Sequence, residues 1–177
     1  NPGNLAVEDQ WILAEFDATM NTVRQSWEKL DIYTATQALK TFGTGVLPSH
    51  YLEMVKSRLY DGDTSAAWTL HRIVRDFMSA FTPVCPFFTH HISETLYNHS
   101  AVDIDAFPET ADASVALGTA DGDHLRKLSN LLQTFNGDTW NTKKERGISL
   151  NQPISGLAIP EELSEFTAIL TRMHNLE

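Results

Sequence analysis

The sequence predicts a mainly α fold, a helical bundle followed by a small C-terminal α(+β) subdomain. Two observations carry that expectation. Apolar residues recur every three or four positions over four successive stretches, each closed by turn chemistry, and that periodicity lapses after Asn98 and resumes near Asp123. The implied organisation is a bundle over 1–100, an extended linker over 101–122, and a small α(+β) subdomain over 123–177.

In the first stretch Ile12, Phe16, Met20, Val23, Trp27 and Leu30 form one stripe of a helix from about Glu8 to Leu30. "LDIYT" reads as a helix–helix turn, after which Ala35, Leu39 and Phe42 resume the period. Gly43, Gly45 and Pro48 then predict a kink or short break, because Pro48 lacks an amide and clashes with the preceding turn. Leu52, Val55 and Leu59 restart the helix before "YDGD" turns the chain. A third helix is expected from a Thr64 or Ser65 cap to about Phe81, with Leu70, Ile73, Phe77 and Phe81 on one face. "TPVCP" ends it, and a fourth runs from Phe87 to Tyr97 with Phe88, Ile92 and Leu96 aligned. Four helices with one apolar stripe each must cover one another, which makes a bundle.

The following "DIDAFPETADASVALGTADGD" is acidic and aperiodic, a short extended piece and linker. A helix from about Asp123 to Arg146 carries Leu125, Leu128, Leu132 and Phe135 and is capped by Gly147. "LNQPISGLAIP" reads as a turn and short strand, and "PEELSEFTAILTRM" as a last helix with Pro160 at its first position.

The composition, 177 residues at 42% hydrophobic and 10% aromatic, suits a globular chain. A single cysteine, Cys85, leaves no internal disulfide and no CxxC pair, which favours a reducing, cytoplasmic home. No stretch approaches 18 uninterrupted apolar residues and the start "NPGNLAVEDQ" has no export-signal pattern, so no membrane partner is expected. That start also lacks Met, as a fragment would.

A net charge of -10 argues against nucleic-acid binding in general, and DNA is not an expected partner, because phosphate affinity comes from Lys and Arg. The distribution argues otherwise: Lys40 to Arg75 carries a local +2, Arg126 to Arg146 a local +3, and the remainder -15. Two cationic islands sit in an acidic body. The bland alternative is that both are solvated faces of amphipathic helices.

Catalytic and metal patterns are weak. No histidine follows a glutamate by three positions, as a di-iron bundle requires, and His90 with Glu94 supplies only two ligands at i and i+4. Nucleophile elbows, H-E-x-x-H and a complete glycine-rich phosphate loop do not occur. Asn98-His99-Ser100 matches a glycosylation sequon that a chain without a signal would not present for modification. No catalytic residue is therefore assigned.

Four segments in order, "EDQWIL", "HYLEMVKSRLY", "FTPVCPFFTHHISETLY" and "KKERGISLNQPI", resemble the C-terminal part of a class I aminoacyl-tRNA synthetase. They match the opening of its anticodon-binding bundle, the second helix, a proline-phenylalanine helix junction, and a lysine-rich helix running into "LNxP". Among sister enzymes, "HYLEMVKSRLY" is most similar to the valyl type, and the closing "KKERGISLNQPI" and "RMHNLE" resemble the archaeal valyl type most. The resemblance implies a tRNA-gripping domain for tRNA(Val), with catalytic and editing domains upstream in the same chain. ATP and Mg would then be used by the full-length enzyme and no cofactor by these residues. The family's HIGH and KMSKS signatures do not occur here, so the fragment alone would be non-catalytic and is expected to be a monomer.

Unpaired loop bases are read by stacking and base-edge hydrogen bonds, with cations on the flanking phosphates. His50, Tyr51, Lys56 and Arg58 have that chemistry; Lys40 falls near the line of Tyr51, and Arg72 and Arg75 could extend the patch. Lys143, Lys144 and Arg146 suit the RNA backbone. The chain departs from the family at "FGTGVLPSHY", where relatives keep a continuous helix, and at His90 and His91, which replace paired glutamates. Alternatives are an isoleucyl or leucyl identity, a helical protein-interaction module without RNA affinity, and a metal site at His90 and Glu94.

Overall fold

The structure, a computed structural model, describes residues 5–97, 107 and 119–177. Helix α1 (Val7–Glu28) is central because its apolar residues face several sides at once: Trp11, Ile12, Leu13, Phe16, Met20 and Val23 are all buried. Around it pack α2 (Ile32–Thr41), a π-helical segment (Phe42–Tyr51), α4 (Thr64–Phe81) and α6 (Thr119–Glu145). Helix α3 (Leu52–Tyr60) continues the π segment, and α5 (Pro86–Tyr97) packs on α4. The chain closes with a 3-10 turn (Glu161–Phe166) that leads into α7 (Thr167–His174). A single apolar cluster joins Met20, Leu39, Phe42 and Val55 to Leu125, Leu132, Phe166 and Leu170, drawing on both ends of the sequence.

The helical class is as expected, and no strand occurs among the described residues; the anticipated β element is one parallel bridge between Ile154 and Leu176. The linker expected over 101–122 lies outside the described residues, as does the sequon, except for Phe107 and the last four positions, which belong to α6. Three further details differ. Leu30 leaves the α1 stripe, 82% exposed with φ 57°, because the helix ends at Glu28. Asp63, rather than Thr64 or Ser65, caps α4 by accepting from the amides of Ser65 and Ala66. On α5, Phe88 and Leu96 are exposed rather than covered.

The fourth difference positions the site. Between Gly43 and Pro48 the chain does not break; it widens. A proline inside an α-helix removes a donor and drives its ring into the carbonyl four residues back. Moving the bonds to the fifth residue back relieves that register, and the Leu52 amide donates to the Leu47 carbonyl. The backbone stays right-handed helical at Thr41, Phe42, Tyr51 and Leu52, so Ile32 to Tyr60 is one rod with a ten-residue π-helical middle, an uncommon length for that winding. Gly43 is needed there: a Cβ would lie 2.6 Å from Phe77 Cζ of α4.

Candidate nucleic-acid interface

The rod carries half of the predicted contact residues, and its two faces do different things. Tyr51 and Arg58, seven apart, share a face, and that face turns inward onto α1. Tyr51 is 0% exposed and its hydroxyl donates to Asp9 Oδ1 at 2.8 Å. Arg58 donates to Asp9 Oδ2 at 2.8 Å, to Glu8 Oε1 at 2.7 Å and to Asp63 Oδ2 at 2.9 Å. Ser65 also donates to Asp9, so the buried carboxylate is surrounded by donors from the π-helical segment, α3 and α4.

The electrostatics follow from that packing. Burial opposes the charge on Arg58, but its bonds to Asp9 and Asp63 and the charges of Asp9 and Glu8 hold it more firmly protonated than usual. Burial and the Asp9 charge push the Tyr51 hydroxyl up. The Arg58 bond, together with the amides of Ala66 and Ser65, holds the Asp63 carboxyl down. Three carboxylates on one guanidinium lock α1, α3 and the α4 cap together. Tyr51 and Arg58 are therefore turned into the bundle and not presented at its surface.

Lys143 behaves similarly at the other island. It is 0% exposed, and its Nζ donates to the carbonyls of Leu150 at 2.8 Å and Gln152 at 2.7 Å. Burial lowers its proton affinity. Gly147, at φ 67°, ends α6 and returns the chain so that these carbonyls reach the lysine, with the Ile148 amide donating to the Lys143 carbonyl at 2.8 Å. Lys143 is the staple of the C-terminal loop.

The remaining candidates face solvent. Lys40 and Lys144 are exposed; Lys56 is exposed beside Glu53 at 3.6 Å, and Arg75 beside Asp76 at 3.0 Å. Arg146 is exposed and its Nη1 donates to the Ser155 carbonyl at 3.2 Å. Arg72 is half-buried, its guanidinium 5.4 Å from the Trp68 ring centroid. Tyr60 stands 84% exposed at the end of α3.

His50 occupies the boundary between these classes. It is half-buried and stacks on Trp140 of α6 at 5.6 Å, while its Nδ1 lies 3.2 Å from Asn136 Nδ2. Asn136 is itself 0% exposed, and its Oδ1 lies 2.8 Å from His174 Nε2. Burial lowers the His50 pKa; burial and then the nearby Lys143 charge push His174 down to about 4. Asn136, Trp140 and His174 were not singled out from the sequence. A signal was there: Leu125, Leu132, Asn136, Thr139 and Lys143 lie at offsets 0, 7, 11, 14 and 18, one inward stripe of α6 that changes from apolar to polar.

His90 Nε2 and Glu94 Oε1 are 3.3 Å apart on α5, and among the described residues no group of three or more His, Cys, Asp or Glu is placed to hold a metal. No described helix is long and apolar enough to cross a membrane.

Comparison with known proteins places this arrangement. The family model for the anticodon-binding domain of tRNA ligase matches residues 9–158. Valine–tRNA ligase of Saccharolobus solfataricus is 28% identical over 87% of this chain and 18% of its own length. That of Haloarcula marismortui is 28% identical over 98% of the chain and 18% of its length. That of Methanothrix thermoacetophila is 30% identical over 88% of the chain and 17% of its length. The chain thus spans less than a fifth of these curated relatives. The match opens at Asp9, the carboxylate that ties α1 to the rod, and runs through α6 and its terminal loop: the chain belongs to the anticodon-binding domain family of the tRNA ligases.

Proposed function

We propose that this chain is the tRNA anticodon-recognition domain of a valyl-tRNA synthetase, which grips tRNA(Val) and positions it for ATP-dependent ligation of valine by an upstream catalytic domain. The observation that carries this reading is that the family match covers most of the chain and the relatives named above are valine–tRNA ligases. Catalytic and editing domains would precede it in the same polypeptide, ATP and Mg would serve the catalytic domain, and the enzyme would be a cytoplasmic monomer.

The surface supports the reading with a narrower set of residues than the sequence suggested. Lys40, Lys56, Arg75, Lys144 and Arg146 face solvent and supply phosphate contacts; Arg72 over Trp68 extends them; His50 and the exposed Tyr60 supply base contacts. Tyr51, Arg58 and Lys143 act by holding the helices that carry these groups. Holding the loop in place is itself catalytic support, because the acceptor end must arrive in reactive orientation.

The test is fluorescence anisotropy at low salt with a labelled valine-tRNA anticodon stem-loop, and with the same loop altered at its shared anticodon bases A and C. Preference for the valine loop is the expected result. Preference for an isoleucine or leucine loop would transfer the domain to a sister enzyme, and absence of binding to any loop would leave a helical protein-interaction module.

A further inference from the structure

The family and its fold do not say what the bend-prone segment "FGTGVLPSHY" does. The geometry points to His50, at the end of the π-helical turn, as a specificity-determining residue that donates a hydrogen bond from Nε2 to an acceptor atom on an unpaired RNA base. Asn136 acts as its positioning residue. The inference rests on the RNA-binding reading above, which already gives His50 a base contact, and adds to it the donor atom, the direction of the bond and the residue that fixes it.

The Asn136 amide has one acceptor and two donors. Its Oδ1 faces His174 Nε2 at 2.8 Å, so His174 is the donor there and carries its proton on Nε2. Its Nδ2 then faces His50 Nδ1 at 3.2 Å, and because an amide nitrogen can only donate, that ring nitrogen must accept. A neutral imidazole that accepts at Nδ1 carries its proton on Nε2. Among the described residues, the buried side-chain polar atoms without a partner are Trp27 Nε1 and Thr69 Oγ1; His50 Nε2 is not one of them, nor does it bond within the chain, so it opens to solvent as an N–H donor. Stacking on Trp140 fixes the ring plane.

The surroundings suit a base edge better than a phosphate. A doubly protonated His50 would set an N–H against the Asn136 amide, so the contact keeps the ring neutral and burial acts in the same sense. A neutral donor adds little attraction for phosphate and its worth lies in matching one acceptor, which is how base readout differs from backbone contact. The π winding contributes the placement: Tyr51 next to it points at Asp9 of α1, while His50 is turned to α6. A side chain on the rod is in this way held from behind by α6 and α7.

Two measurements test this. In the RNA-free chain, two-bond proton–nitrogen NMR of imidazole should find His50 as the Nε2–H tautomer and a tautomer mixture in Asn136→Ala; the Nδ1–H tautomer in the wild type would overturn the assignment. In the stem-loop assay, His50→Phe keeps the stacking on Trp140 and removes the donor. It is expected to lose about tenfold of the preference against one altered base, with the salt dependence unchanged, whereas His50→Gln retains part of that preference. Wild-type protein that binds no loop would overturn the RNA reading together with this one. Wild-type preference that survives in His50→Phe would overturn the His50 assignment alone, and a changed salt slope would make it a phosphate contact.

Discussion

In the island from Lys40 to Arg75 the inward cation, Arg58, meets three carboxylates at 2.7 to 2.9 Å, whereas in the island from Arg126 to Arg146 the inward cation, Lys143, meets only the carbonyls of Leu150 and Gln152. Each island therefore contains one cation that builds the fold and several that remain at the surface. The difference lies in how the buried charge is compensated. Arg58 meets three carboxylate side chains, whereas Lys143 is held by peptide carbonyls alone and burial lowers its proton affinity. A local excess of positive charge counted along the sequence thus overstates what the first island offers a phosphate, since Arg58 is in that count and its partners Glu8 and Asp9 are not.

The largest stability effect is expected at Arg58. Replacing it by Ala leaves Asp9 buried without its main partner, and loss of one member of a buried pair costs roughly 3 to 5 kcal/mol. Denaturant unfolding of Arg58→Ala should show a loss of that size; a loss near zero would mean the carboxylates find other partners. Lys143→Ala should cost less, about 2 kcal/mol for two bonds from a charged donor, and Lys143→Met should recover part of it because a buried uncompensated charge is itself unfavourable. Equal losses in Lys143→Ala and Lys143→Met would show that the carbonyl bonds, not the aliphatic fill, hold the loop.

A pH titration sharpens the second island. His174 has its folded pKa pushed down to about 4, below its ordinary 6.5, so the unfolded chain binds the extra proton first. Stability from this residue is complete above pH 6.5 and is lost as pH falls from there towards 4, at roughly 1.4 kcal/mol per pH unit for one proton. Thermal melts of the wild type and His174→Gln across that window should differ in slope by about one proton; parallel curves would contradict the burial of a neutral ring beside Lys143. The smallest stability effects belong to Lys40 and Lys144, whose removal should change the unfolding free energy by less than about 0.5 kcal/mol while each reduces the salt slope of RNA binding by roughly 0.7.

Much of the bundle was legible because it follows from local periodicity. The α1 residues Ile12, Phe16, Met20 and Val23, the α2 residues Ala35 and Leu39, and the α6 residues Leu125 and Leu132 are buried on the faces their spacing assigned. What could not be read depends on partners far along the chain. Arg58 meets Asp9 49 residues away, and His50 meets Asn136 86 residues away, so nothing near either residue signals the contact. The segment at Pro48 misled for a different reason: propensity correctly penalised an α-helix there, but a wider helix satisfies the same carbonyls without breaking the rod. Phe88 and Leu96 had the right period on α5, but period does not guarantee a covering partner.

The cations divide into an interior set that holds the bundle and a surface set that we propose binds RNA. The most direct test measures binding of the valine anticodon stem-loop across a range of salt concentrations. It compares the wild type with a variant in which Lys40, Lys56, Arg75, Lys144 and Arg146 are all replaced by Ala. That variant should melt near the wild-type temperature, bind far more weakly at low salt and have a much flatter salt dependence. Wild-type affinity and salt slope in that variant would contradict this division and return the contact to groups the structure places inside.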